Sequence, residues 1–176
     1  GETCPTTVIN EFTGKLATKT IKQIQDSQNQ RTIGGTEGLF AVGRYQLITS
    51  TLQGAVANLA DLKPTDIFNK TTQDPLGAYL CLSGKKKYLH GFLIDKHDDA
   101  ERAAHELAEE WASYPSQYTY IRRNGKQTTR GKSVYSDDSG GIAARKNETP
   151  ERVVNLMISV KKQFLNNAKV KQILGI

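Results

Sequence analysis

Four glycines fall within ten positions, Gly34, Gly35, Gly38 and Gly43, and the last of them opens straight into Arg44-Tyr45-Gln46 and an aliphatic pair. Glycine populates positive φ freely and weakens helices, so this stretch predicts a tight hairpin or irregular β excursion rather than a helix. It is the expected small β element. The run that follows it, FAVGRYQLI over 40–48, joins the turn to an aromatic–amide pair just ahead of a helix start.

Helical periodicity dominates the rest of the chain. Ile21 and Ile24 predict a short helix ending before the polar run toward Thr32. Leu52, Val56, Leu59 and Ala60 have helical spacing, with Ser50 as cap and Pro64 just beyond the end. A further helix is predicted over 71–82, with Asp74-Pro75 as cap and first turn, Gly84 as its stop, and Leu76, Tyr79 and Leu80 facing inward. Asp98 or Asp99 can cap AERAAHELAEEWAS, where Ala103, Leu107 and Trp111 recur at four-residue steps and Trp111 is the expected core anchor. The polar stretch 114–148 reads as long loops. Thr149-Pro150 is a helix start, after which Val153, Met157, Val160, Phe164 and Ala168 line one face. The expected fold is mostly α (α+β), a helical core with one small β-hairpin, forming a single domain over 1–176.

At 176 residues one domain can bury roughly 70% of the surface its unfolded chain exposes. Hydrophobic residues make up 37% and charged residues 24%, which excludes a disordered chain, and no apolar run approaches the roughly 20 residues of a membrane span. The formal charge of +6 favours polyanionic partners. Nucleic acid is disfavoured among them, because KKK at 85–87 and RR at 122–123 are short, scattered and without an aromatic RNA-reading signature. The opening GETCPTTVIN lacks the basic-then-apolar pattern of a signal peptide and any initiator Met, which reads as a piece excised from a longer protein.

Cys4 and Cys81 can form one disulfide or stay as thiols; an oxidising compartment favours the bridge. His97, Glu101 and His105 stand four residues apart, but a helix starting at Asp98 or Asp99 breaks their common face, so a solvated surface is the better reading. No nucleophile elbow or phosphate loop is present.

Hydrolysing a glycosidic bond requires one carboxylic acid to protonate the leaving oxygen and usually a second carboxylate to activate water or stabilise positive charge. Glu2 and Glu11 have eight residues between them, with Thr13-Gly14 following, and Glu37 in TEGLF is their rival on the Gly-rich segment. Tyr45 can stack on a sugar ring or pack in the core. Gln46 can bond an N-acetyl group or cap the next helix. Arg44 reads as a surface or ion-pair residue.

The G-[KR]-Y-Q pattern with its aliphatic pair resembles lysozyme-like peptidoglycan hydrolases, the group of phage endolysins and the lysozyme domains of type VI secretion effectors. PTDIFNKTTQD over 64–74 is similar to that family's F-[ST]-P-x-x-Q-D element, EWASYP over 110–115 to its W-A-S-[LIV]-P, and GKSVYSDDSGGIAARK over 131–146 to a G-x-S-Y-Y-x-G-x-G loop. The resemblance covers about positions 1–146. It implies a lysozyme-like fold and cleavage of the β-1,4 bond between N-acetylmuramic acid and N-acetylglucosamine. Glu2 would be the general acid and Glu11, where the family has Asp, the base or charge stabiliser, with Tyr45, Gln46 and Tyr135 on the substrate. It implies no cofactor and no metal. The partners it implies are glycan strands and an immunity protein. It further implies a secreted antibacterial monomer that acts in the periplasm of a target bacterium. Two alternatives stay open: a lytic transglycosylase, which needs one Glu and gives anhydromuramic products, and a non-catalytic cell-wall binding module.

Overall fold

The helix expected from Ile21 begins at a reciprocal cap. Thr20 Oγ1 accepts from the Gln23 amide at 3.2 Å, and Gln23 Oε1 accepts from the Thr20 amide at 2.8 Å, so two of the amide groups orphaned at a helix start are satisfied within one turn. This computed structural model describes residues 15–32, 38–136, 144 and 147–166. Glu2, Glu11 and Glu37, together with Cys4 and Ala168, lie outside the described residues. The sequence reading treats 1–176 as one domain; the chain groups into two compact units, Gly1–Leu80 and Cys81–Ile176, and each is taken in turn.

In the first unit, helix α1 spans Ile21–Thr32 and does not stop at the polar run. Its inward stripe continues from Ile21 and Ile24 into Ser27 and Gln28, and the last of these is fully buried. Buried polar side chains persist when they are hydrogen-bonded, and both of these serve backbone groups of the next segment: Ser27 Oγ accepts from Leu39 N at 3.3 Å, and Gln28 Nε2 donates to Phe40 O and Leu47 O, each at 2.8 Å. Helix α2 spans Thr49–Asn58, with Leu52 and Ala55 buried; its N-cap is Ile48, without a side-chain bond, so Ser50 lies inside the first turn instead of capping it. Helix α3 spans Lys70–Leu82. Asn69 starts it by accepting from Thr71 N at 3.0 Å and Thr72 N at 3.4 Å, which leaves Asp74 and Pro75 inside the helix and not at its start. Phe68, Leu76, Val42 and Leu47 complete a core in which each fully buried large side chain contributes roughly 1.5–3 kcal/mol.

Of the Gly-rich segment expected to form a tight hairpin or irregular β excursion, residues 34–37 lie outside the described residues, and residues 38–47 hold the isolated bridge Val42↔Leu47. The two-stranded antiparallel sheet among the described residues lies in the second unit, where β1 (Tyr120–Ile121) pairs with β2 (Gln127–Thr128) in the register Tyr120↔Thr128 and Ile121↔Gln127. Its turn closes with Gly125 at φ +78°, donating to Arg122 O at 2.9 Å. A stretch read as loop thus carries the ribbon, because two residues per strand are too few for alternation to register.

Helix α4, Lys87–Leu93, has no counterpart in the sequence reading. It is seven residues long and buries Leu89, Phe92 and Leu93, and the Glu106 carboxylate accepts from Leu89 N at 2.8 Å to satisfy its first turn. Helix α5, Ala100–Glu110, starts at Asp99, whose side chain accepts from Arg102 N. Helix α6, Pro150–Asn166, starts at Thr149, whose Oγ1 accepts from Arg152 N at 3.3 Å. The three helices bury Leu89, Phe92, Ala103, Leu107, Val153 and Met157 together, and Trp111 packs half-buried against that cluster. Cys81 is a free thiol rather than one half of a bridge. Among the described residues no helix is long and apolar enough to cross a membrane.

Candidate functional site

The FAVGRYQLI segment is held from both sides by side chains distant in sequence. Val42 and Leu47 exchange backbone bonds of 3.1 and 2.9 Å, closing a turn that needs positive φ at Gly43 (+70°) and Gln46 (+52°). Glycine adopts that conformation at no steric cost, whereas Gln46 does so against its preference. Gln46 Nε2 donates to Gly43 O at 2.9 Å, so its amide closes the turn and does not cap α2.

Gln73 and Asp74, from the TTQD stretch, fold back onto the same turn. Gln73 Oε1 accepts from Arg44 N at 2.9 Å, while its Nε2 donates to Phe68 O at 2.9 Å. Asp74 Oδ1 accepts from Tyr45 Oη at 3.0 Å and from Arg44 Nη1 at 3.2 Å, and Lys70 bonds its other oxygen. The Lys70 hydrogen bond is the main reason the Asp74 carboxyl is held below its usual range. Burial, followed by the Asp74 hydrogen bond, pushes the half-buried Tyr45 phenol up. Tyr45 is therefore a hydrogen-bonded clamp on α3, its ring against Gly77; Arg44 is the ion-pair residue its position suggested.

The two ends of the segment reach an open groove of about 440 Å³ lined by Asn29, Arg31, Phe40, Ile48, Thr49, Ser50 and Gln53. Phe40 is 61% exposed, and Ile48 is also exposed. The Arg31 guanidinium lies 5.5 Å from the Phe40 ring centroid, and Gln53 Nε2 donates to Asn29 Oδ1 at 2.9 Å. An aromatic face, an apolar wall, amides and hydroxyls are the groups that bind a neutral sugar.

Of the residues expected on substrate, Tyr45 and Gln46 are neighbours in this unit but turn to different partners. Tyr135 belongs to the second unit, where it is exposed and its hydroxyl donates to Glu109 O. The candidate acids Glu2, Glu11 and Glu37 lie outside the described residues; Glu37 precedes Phe40 by three positions in the sequence. Asn29 and Gln53 escape sequence reading because they meet from α1 and α2 across 24 positions. Phe40 was visible as the first letter of the motif, but nothing local marks its side chain as exposed.

In the second unit His97 lies before the α5 cap, with Nδ1 accepting from Asp99 N at 3.2 Å. His105 instead faces Ser116 Oγ at 3.3 Å. Among the described residues no group of three or more His, Cys, Asp or Glu side chains could hold a metal. A second groove of about 450 Å³ is lined by Glu101, Gln117, Arg130, Glu151, Val154 and Asn155, with Arg130 and Glu151 paired at 2.6 Å.

No family model matches this chain, and neither a curated protein nor a solved structure matches it.

Proposed function

We propose that this chain is a lysozyme-like muramidase domain cleaving the β-1,4 bond between N-acetylmuramic acid and N-acetylglucosamine. Glu2 would protonate the leaving oxygen, and Glu11 would activate water or stabilise the oxocarbenium-like charge. The observation that carries this reading is the Phe40–Ile48 segment: its backbone is held by Gln28 and Gln73, its Tyr45 and Arg44 side chains by Asp74, and its two exposed ends wall a groove furnished with an aromatic ring and amides. A second support is that GRYQ and the QD of TTQD, two separate elements of the resemblance, are bonded to each other.

In this reading the domain acts on glycan strands as a secreted antibacterial monomer in a target periplasm, restrained in the producing cell by an immunity protein. The +6 charge suits an anionic cell wall. The test is mass spectrometry of muropeptides released from purified Gram-negative peptidoglycan, run beside Glu2→Ala and Glu11→Ala. Reducing-end muramic products lost in both variants establish the two-carboxylate muramidase. Anhydromuramic products replace it with a lytic transglycosylase, and activity surviving Glu2→Ala moves the acid to Glu37. Binding of the wall without turnover leaves a cell-wall binding module.

A further inference from the structure

The ribbon of β1 and β2 carries charge of a single sign. Over residues 111–136 the basic side chains are Arg122, Arg123, Lys126, Arg130 and Lys132, and there is no acidic one. Arg130 is paired with Glu151, and Arg122 folds back to donate to Val134 O at 3.0 Å and Ser136 O at 3.4 Å. Arg123 and Lys126 are exposed at the turn.

The register sorts the ribbon into two faces, because successive side chains of a strand point to opposite sides. Tyr120 and its partner Thr128 face inward: Thr128 is fully buried, and Tyr120 meets the His105 ring edge-on at 5.4 Å. Ile121 and its partner Gln127 therefore face outward, and both are exposed. Ile121 is 64% exposed, more than Phe40. A scattered apolar residue on a surface is ordinary, but this one leads directly into two arginines on a stretch without a carboxylate.

The support beneath that face is fixed. Gly125 N donates to Arg122 O and Arg122 N to Lys126 O, each at 2.9 Å, while Asn124 Oδ1 accepts from Lys126 N at 3.1 Å. With Gly125 at φ +78°, this is the closure of a three-residue hairpin loop. Docking on such a loop has little backbone ordering to oppose it.

We propose that the outward face of this ribbon docks on an anionic lipid surface, with Ile121 entering the boundary between headgroups and acyl chains and Arg123 and Lys126 meeting lipid phosphates. A dissolved polyanion would reward the two cations alone. A bilayer interface rewards them and the burial of Ile121 together. The chain would lie on the membrane by this face without crossing it. Attachment of this kind is separate from the muramidase reading and does not depend on which bond, if any, the protein cleaves.

The experiment is co-sedimentation of the full chain with vesicles of phosphatidylcholine alone and of equimolar phosphatidylglycerol and phosphatidylcholine, at about 0.1 M salt so that distant charges are screened. The expected result is binding to the anionic vesicles and little to the neutral ones. Ile121→Ser should weaken that binding by roughly tenfold. Arg123→Gln and Lys126→Gln should each weaken it by roughly fivefold. All three side chains are exposed, so the variants' unfolding curves should stay close to the parent's. No binding to the anionic vesicles, equal binding to both vesicle types, or an Ile121→Ser variant that binds like the parent would each overturn the proposal. In the last case, retention on DNA that is lost in Arg123→Gln but kept in Ile121→Ser would assign the ribbon to nucleic acid instead.

Discussion

Gly77 on α3 lies flat against Tyr45: a Cβ placed there would come within 2.6 Å of ring atoms Cε1 and Cζ. The glycine is required by this close approach, and the approach in turn lets the phenol reach Asp74 at 3.0 Å. Gly77→Ala gains roughly 0.5–1 kcal/mol of helix propensity but forces apart a stiff ring, an overpacking cost of roughly 1–3 kcal/mol. The expected outcome is a thermal midpoint a few degrees below the parent's. Tyr45→Phe keeps the packing and loses the bond to Asp74, about 0.5–1.5 kcal/mol. An alanine variant as stable as the parent would show that the contact between α3 and the turn gives way without cost.

Gln28 should be the most consequential polar residue of the first unit. Gln28→Leu fills the same space but leaves Phe40 O without its side-chain donor, while Leu47 O keeps the bond from Val42 N. One lost partner at a part-buried carbonyl costs roughly 1–3 kcal/mol. Denaturant unfolding should register that loss. Under the proposed muramidase reading, peptidoglycan release should fall with it, since Phe40 is no longer held at the groove. Unchanged activity at reduced stability would separate Gln28 from the groove.

How far these relationships were legible in the sequence depended on their range. Thr149-Pro150 and Asp99 cap through residues three positions on, so local reading found them. Asn69 also caps locally, yet Asp74-Pro75 is the louder signal, and only the bonds to Thr71 and Thr72 decide between them. α1 was cut short because a hydrophobic period does not count Gln28, although burial treats it as core. α4 was hidden by its brevity and by the three lysines at its start, and the ribbon at 120–128 by strands of two residues. At the site, the motif stood out while its supports did not: Gln28, Gln73 and Asp74 act across 12, 29 and 29 positions.

Lys161 is buried in α6 with Nζ 2.7 Å from Asp95 and 2.8 Å from Asp98, and it donates to His97 O at 3.1 Å. Burial alone lowers its pKa, but the hydrogen bonds it donates to the two carboxylates outweigh it and the net direction is upward. Lys161→Met should destabilise the protein only modestly, well short of the loss of a fully buried pair, because both aspartates are exposed and can turn to water. The Lys161 hydrogen bond holds Asp98 below the usual carboxylate range. That contribution is present above the unfolded carboxylate value, about 3.9, and is lost as pH falls through the folded one. Chemical denaturation at pH 7 and pH 3 should show the variant's deficit shrinking in acid; a constant deficit would mean that its contact with Phe92, whose ring centroid lies 4.7 Å from Nζ, and not the aspartates, sets it.

Cys81 should be a slow thiol. Burial first, and then the charge of Glu110, push its pKa up to about 12, so almost no thiolate exists at neutral pH. Iodoacetamide labelling followed by peptide mass spectrometry should show Cys81 modified much more slowly in the native protein than in denaturant. Equal rates in both conditions would refute a shielded thiol.

His105 offers the clearest pH signature. Its ring packs edge-on against Tyr118 and Tyr120 at 4.9 and 5.4 Å, with Ser116 Oγ 3.3 Å from Nδ1 and Glu109 3.7 Å from Nε2. The nearby Glu109 and Glu106 favour the charged ring and Lys86 opposes it, but burial is the largest influence and lowers the pKa below 6.5. At neutral pH the contact with Glu109 is thus to a neutral imidazole, not an ion pair. The unfolded chain then binds the extra proton first, so the stability contributed by the neutral ring is complete above about 6.5 and is lost as pH falls through the lower folded value. Urea midpoints measured at pH 7.5 and pH 5.5 should drop more for the parent than for His105→Gln, in which His90 and His97 remain. Parallel drops would mean that the ring is protonated in place without penalty, and that the two tyrosines do not shield it.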